Sequence, residues 1–309
     1  MNRFFSLLLV LCVGMTLSVP SGRAQQTDLL VKFPVPPDEM TRLDERCNYI
    51  VDNYWKHFNF KSAFSSKDRM EATLAQFLSV TPYASVDTVY AAIETLVRGV
   101  EKNDARNLLT LAGMAERLCA TDSAEYASED LMLPFAEAVA NCKKLKGPEK
   151  EKYTLMAQRM RNSRVGVTPA DFQFVVPDGT TGRFSDVTEP TVLLFFYDPN
   201  DFQSRLARTR LGSDFVIKTL INHGMLKVVA IYPHAPDNAW LEDVSAMPPG
   251  WIIGAAEGIG DYFSLRRNPQ IYYLDEERKI TSKDFSVDAA LIYFSQFLQT
   301  GAQGGGSSK

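Results

Sequence analysis

Two hydrophobic rhythms divide the chain. From about residue 39 to 162, apolar residues recur at helical spacing: Ile50, Tyr54, Trp55 and Phe58; then Leu74, Phe77 and Leu78; then Leu108, Leu109, Leu111 and Met114. Residues three and four apart share one face of an α-helix, so each set predicts an amphipathic helix with a single buried stripe. Pro134 is placed in the first turn of a further helix, where its missing N–H goes unnoticed, and EKEKYTLMAQRMRNSR predicts a charged helix leading out of this half. An all-α domain is expected over residues 39–162. If residues 107–119 and 134–144 are antiparallel neighbours, Cys142 lies about 12 Å down the second helix from the connecting loop. A Cys119–Cys142 disulfide, which tolerates a Cα separation of roughly 7 Å, is then not expected.

From Pro169 onward the rhythm changes. DFQFVVPDGTTGRFSDV alternates around its PDG and TG turns and reads as a strand, a turn and a second extended piece. TVLLFFYD is an almost unbroken apolar run, followed by a helical stretch and a second such run, LKVVAIYPH. Strands apolar on both faces and joined through a helix predict a βαβ unit in a sheet covered on both sides. NPQIYYLDEERKITSKDF reads as a hairpin turning at Asp275 to Lys279, and DAALIYFSQFLQ as a closing helix. This order predicts an α/β fold over residues 163–299, preceded by the helical domain; the thioredoxin type is one of several α/β folds it allows, and the Asp198–Pro199–Asn200 turn, the Trp251 and Tyr262 region and Pro269 entering IYYLD favour it. Residues 300–309, rich in glycine and serine, read as a disordered tail. There is no internal repeat.

At the N-terminus, Asn2 and Arg3 precede the apolar run FFSLLLVLCVGM, and Gly22, Arg23 and Ala24 supply a small-residue cleavage pattern. Residues 1–24 are therefore expected to be a signal peptide, residues 25–38, with three prolines, a tether, and the protein periplasmic or secreted. No later run reaches the roughly 18 apolar residues a membrane helix needs. Loss of Arg3 and Arg23 leaves 31 basic against 37 acidic residues, a charge of −6 with histidine neutral. Mild acidity argues against a nucleic-acid partner. Three cysteines remain, Cys47, Cys119 and Cys142, with no Cys-x-x-Cys or metal-ligand spacing among them.

YIVDNYWKHFNF, MAERLCATDSAEYASEDLMLPFAEAV, the junction RNSRVGVTPADFQFVVPDGTTGRFSDV and TVLLFFYDPN resemble a family of exported bacterial proteins that join a helical domain of unknown function to a C-terminal thioredoxin-like domain. In members with an active site, a Cys-x-x-Cys follows the apolar strand. Aligned through DPN, those positions are Asp201 and Ser204 here. The resemblance also implies that Pro269 is preceded by a cis peptide bond and lies beside that helix start. There the backbone of such proteins pairs with an extended peptide, which brings in Arg266, Arg267 and Asn268 as neighbours.

A cysteine at a helix start is activated because free N–H groups and the helix dipole stabilise its thiolate. Asp201 is incapable of thiol exchange, and a carboxylate there is instead a good N-cap. Asp198, Asn200 and Asp201 cluster oxygens, but the calcium-loop template fails at Phe202 and Gln203, so no metal is expected. His57, His223 and His234 have no motif pairing them with a nucleophile, and no phosphate-binding or dinucleotide glycine loop is present. No cofactor and no catalytic residue are implied. The expected function is a redox-inactive scaffold that binds a protein or extended peptide through Asp198, Asn200, Arg267, Asn268 and Pro269. The alternative is a thiol-disulfide or peroxide-handling enzyme that uses one of the three cysteines.

Overall fold

A computed structural model describes residues 29–304 apart from residue 122. The expected signal peptide and the last five residues of the expected tail lie outside this range. Helices α1 (Leu43–Asn53), α2 (Lys67–Val80), α3 (Val86–Asp104), α4 (Asn107–Ala115), α5 (Glu129–Asn141) and α6 (Pro148–Asn162) build the first domain. Serines fix three of the starts. Ser66, Ser85 and Ser128 each accept a hydrogen bond from the N–H three residues on, satisfying a donor that the helix itself leaves unpaired. The buried stripes meet in one core, where Trp55 packs on Tyr54 at 4.7 Å and on Phe77 at 5.2 Å between ring centroids.

Two expectations change here. Pro134 lies inside α5 rather than at its first turn. Ser128, followed by Glu129 and Asp130, supplies cap and dipole-matching charges that start the helix earlier. Burial of Met132, Leu133, Phe135, Ala136 and Val139 offsets the hydrogen bond that proline forfeits. The expected tether is also packed: Leu30 N–H donates to Thr73 Oγ1 at 3.0 Å, and Phe33 sits edge-on to Tyr54. Its apolar side chains find a surface to cover, and that burial repays the ordering of the segment.

Cys119 lies in a π-helical turn, Glu116–Ala120, after α4, and its carbonyl accepts from Ser128 N–H at the start of α5. Cys142 stands at the other end of that helix, roughly 20 Å away at 1.5 Å per residue. All three described cysteines are buried and free.

The second domain holds β1 (Gln173–Val175), β2 (Thr181–Arg183), β3 (Thr191–Phe196), α7 (Phe202–Ser213), α8 (Phe215–Asn222), β4 (Leu226–Tyr232), α9 (Asn238–Asp243), β5 (Ile252–Ala255), β6 (Gln270–Leu274), β7 (Ile280–Lys283) and α10 (Val287–Gly304). The strands form one sheet in the order β2-β1-β5-β4-β3-β6-β7. β3 runs parallel to β4, β4 runs parallel to β5, and β6 lies antiparallel beside β3. Leu193 and Phe195 point into one core with Leu211, Leu220 and Phe294, while Val192, Leu194 and Phe196 point into the other with Phe172 and Phe263. The sheet is covered on both faces, which is why β3 is apolar without alternation.

Three details go beyond the sequence reading. The single helix expected after β3 is split at Asp214, whose carboxylate caps α8 through Ile217 N–H at 2.9 Å. β5 was not anticipated, and its Gly254 is required by packing: a Cβ there would fall 2.4 Å from the Phe174 ring. Finally, α10 continues through Gly304, beyond the residue at which composition ended it, since extending a docked helix gains one hydrogen bond per residue. Among the described residues no helix is long and apolar enough to cross a membrane.

Candidate functional site

Register brings the two expected site segments to one end of the sheet. Phe196, the last residue of β3, pairs with Gln270, the first of β6, so the turn entering α7 and the loop ending at Pro269 leave the sheet side by side. This is the carboxyl end of the parallel strands, where ligands of open α/β sheets collect.

The turn into α7 is closed by its own groups. Asp198 accepts from Asn200 N–H at 2.8 Å, and Asp201, with extended backbone, accepts from Ser204 N–H at 2.6 Å as the N-cap. Ser204 is buried, and its Oγ accepts from Asp198 N–H at 3.3 Å. The helix end that would stabilise a thiolate thus stabilises the Asp201 carboxylate. No described hydrogen bond joins a histidine to Ser204: His57 is exposed, His223 bonds its own helix at the Thr219 carbonyl, and His234 packs edge-on to Tyr232. Among the described residues, no three His, Cys, Asp or Glu side chains converge as a metal site requires.

Across the turn, the Asn268–Pro269 peptide bond is cis. A groove of about 300 Å³ runs between this loop and α7, lined by Gln203, Leu206 and Arg210 on one side and Arg267, Asn268 and Pro269 on the other. Asp198, Asn200, Asp201 and Ser204 do not line it. They shape the helix start instead, so of the expected binding residues only the Pro269 loop faces the groove. Leu206, 42% exposed, puts an apolar side chain on the groove wall, and Phe202, 63% exposed, stands one turn earlier on α7. Both were missed in the sequence, where the available signal was two large apolar residues four apart in an otherwise polar first turn. Behind the groove, a buried Arg208–Asp243 ion pair ties α7 to α9.

The thiols belong elsewhere. Cys47, Cys119 and Cys142 all lie in the helical core. Burial pushes the Cys119 thiol up to about 12 and raises that of Cys47, the reverse of what a reactive cysteine needs.

Residues 17–163 match the sequence model of DUF5106, a domain of unknown function. The chain joins this domain to a thioredoxin-like one. A solved thioredoxin-like protein from Bacteroides caccae superposes with a TM-score of 0.70 at 20% identity, covering 85% of this chain and 97% of that one. The likeness therefore extends over both domains. A conserved protein of unknown function from Bacteroides fragilis is 30% identical over 42% of this chain and 98% of its own, with a TM-score of 0.41. A thiol:disulfide interchange protein from a Bacteroides species is 15% identical over 45% of this chain and 92% of its own, with a TM-score of 0.39. No curated protein matches.

Proposed function

We propose that this protein is a redox-inactive, thioredoxin-like binding protein of the bacterial cell envelope that holds an extended peptide or a protein segment in the groove between α7 and the Pro269 loop. The observation that carries this reading is the fate of the α7 start. Of Asp201 and Ser204, which the resemblance aligns with the dithiol, one is spent as a helix cap and the other is buried, while an open groove with Leu206 on its wall lies beside that helix start. A groove of this kind suits a peptide that adds main-chain contacts along Arg267–Asn268 and sets an apolar side chain against Leu206. The envelope location rests on the leader-like residues 1–24. Buried, high-pKa thiols weigh against the alternative thiol enzyme.

Two measurements test the reading. Purified protein incubated with insulin and dithiothreitol should not raise the rate of insulin reduction above the dithiothreitol blank. A fluorescein-labelled, permanently unfolded polypeptide, reduced and carboxymethylated lactalbumin, should bind, and Leu206→Asp should weaken that binding. Insulin turnover, or no binding of the unfolded chain, would sink the proposal.

A further inference from the structure

The loop that ends at Pro269 is held by the other domain. Glu129, the first residue of α5, reaches out of the helical domain and is only 3% exposed at its side chain. Its carboxylate accepts from Ser264 Oγ and lies 3.2 Å from Lys283 Nζ and 3.5 Å from Arg266 Nε. Arg266 in turn places Nη2 2.9 Å from Asp284, which also accepts from Gln270 Nε2 at 2.8 Å. Ser264 is fixed further: its N–H donates to Ser163 Oγ at 2.9 Å, and its carbonyl accepts from Tyr272 OH at 2.6 Å. The stretch from Ser264 to Pro269 has no regular secondary structure, so its shape rests on these side-chain contacts. Two carboxylates, Glu129 and Asp284, meet two cations, Arg266 and Lys283, in a shielded neutral group. Removing the Glu129 charge leaves two cations sharing one carboxylate, and a buried charge without its partner is strongly unfavourable.

We propose that the helical domain is a working part of the binding site: Glu129, acting through Arg266, is the positioning residue that sets the loop against which an extended peptide lies. The peptide in that statement rests on the proposed function above, whereas the setting of the loop by Glu129 does not. Other contacts join the domains as well, including the more exposed Arg159–Asp261 pair, so docking alone does not explain why a carboxylate is buried here. Glu129 is distinguished by where its bonds go. Arg266 is three residues from Pro269, and Gln270 is the residue that follows it, so the Glu129–Arg266–Asp284–Gln270 chain holds the loop at both ends.

The test uses the full chain and two readouts, amide hydrogen exchange over residues 264–270 and affinity for the labelled unfolded lactalbumin. Glu129→Gln should speed exchange in that segment about ten-fold while β3 and β4 keep theirs, and should weaken the probe about ten-fold. In an Arg266→Gln background the same change should add little over residues 266–270, because its route there through Arg266 is already cut, and what it still adds should be confined to Ser264, which bonds Glu129 directly. Glu129→Asp, which keeps the charge on a shorter arm, should fall between the two, and it carries the comparison if Glu129→Gln does not fold. Unchanged exchange over 264–270, equal acceleration throughout the sheet, or a full additive effect in the Arg266→Gln background would each overturn the proposal. If the wild-type chain binds no probe, the binding reading fails, and the exchange readout still decides whether Glu129 sets the loop.

Discussion

Asp201 shows how one residue type decides what a helix start is used for. The helix start still offers unpaired N–H groups and a positive dipole end, and a carboxylate satisfies both without chemistry. Asp201→Ala should therefore lower stability by about 1 kcal/mol in a urea titration, and Asp201→Asn, which keeps a cap, by less. The double change Asp201→Cys with Ser204→Cys places two thiols at that helix start, and it should raise insulin reduction above that of the wild-type chain, which the proposed function expects to be inert. An inert double variant, folded and with both thiols free, would mean that these positions do not correspond to the dithiol. Cys119 makes the opposite case. Burial raises its thiol from about 9 to about 12, so between those values the unfolded chain has lost a proton that the folded chain retains. Stability contributed by the protonated thiol is complete below pH 9 and declines as pH rises toward 12. Cys119→Ala should accordingly flatten the alkaline fall in unfolding free energy relative to the wild-type chain. Ellman's reagent at pH 8 should leave the described thiols unmodified until denaturant is added.

At the scale of elements, legibility followed length and period. β3 and β4 each exceed five residues, are apolar on both faces, and announce themselves in any reading of the chain. β5 has four residues and a glycine, and it exists because the Phe174 ring of β1 lies across Gly254 and Gly182. That contact joins residues far apart in sequence, so no local pattern contains it. Gly254→Ala should cost about 1–3 kcal/mol by overpacking, measured as a lowered denaturation midpoint, because both the Cγ and the Cβ of Phe174 lie too close to yield. The placement of Pro134 erred for a related reason. The Ser128 cap and its acidic followers were local and readable, but the weight of the five buried residues that carry α5 through a proline was not.

For the molecule as a whole, contacts from the helical domain reach the loop that ends at Pro269. An exposed pair such as Arg159–Asp261, 39% and 60% exposed, should contribute little, and Arg159→Ala should shift stability by less than about 1 kcal/mol. The shielded group around Glu129 carries the greater consequence, and comparison of the two variants by thermal unfolding should show it. By itself the sequence determined the division into a helical half and a thioredoxin-like half and the absence of a Cys-x-x-Cys, because these depend on period, composition and residue identity at single positions. Only the tertiary structure decided that the Asp198–Asp201 turn shapes the helix rather than lining the groove, that Leu206 lines it, and that Glu129 reaches the Pro269 loop from 135 residues before Ser264. Those facts are set by strand register and domain docking, which arise from contacts between distant segments and leave no trace in the spacing of neighbours along the chain.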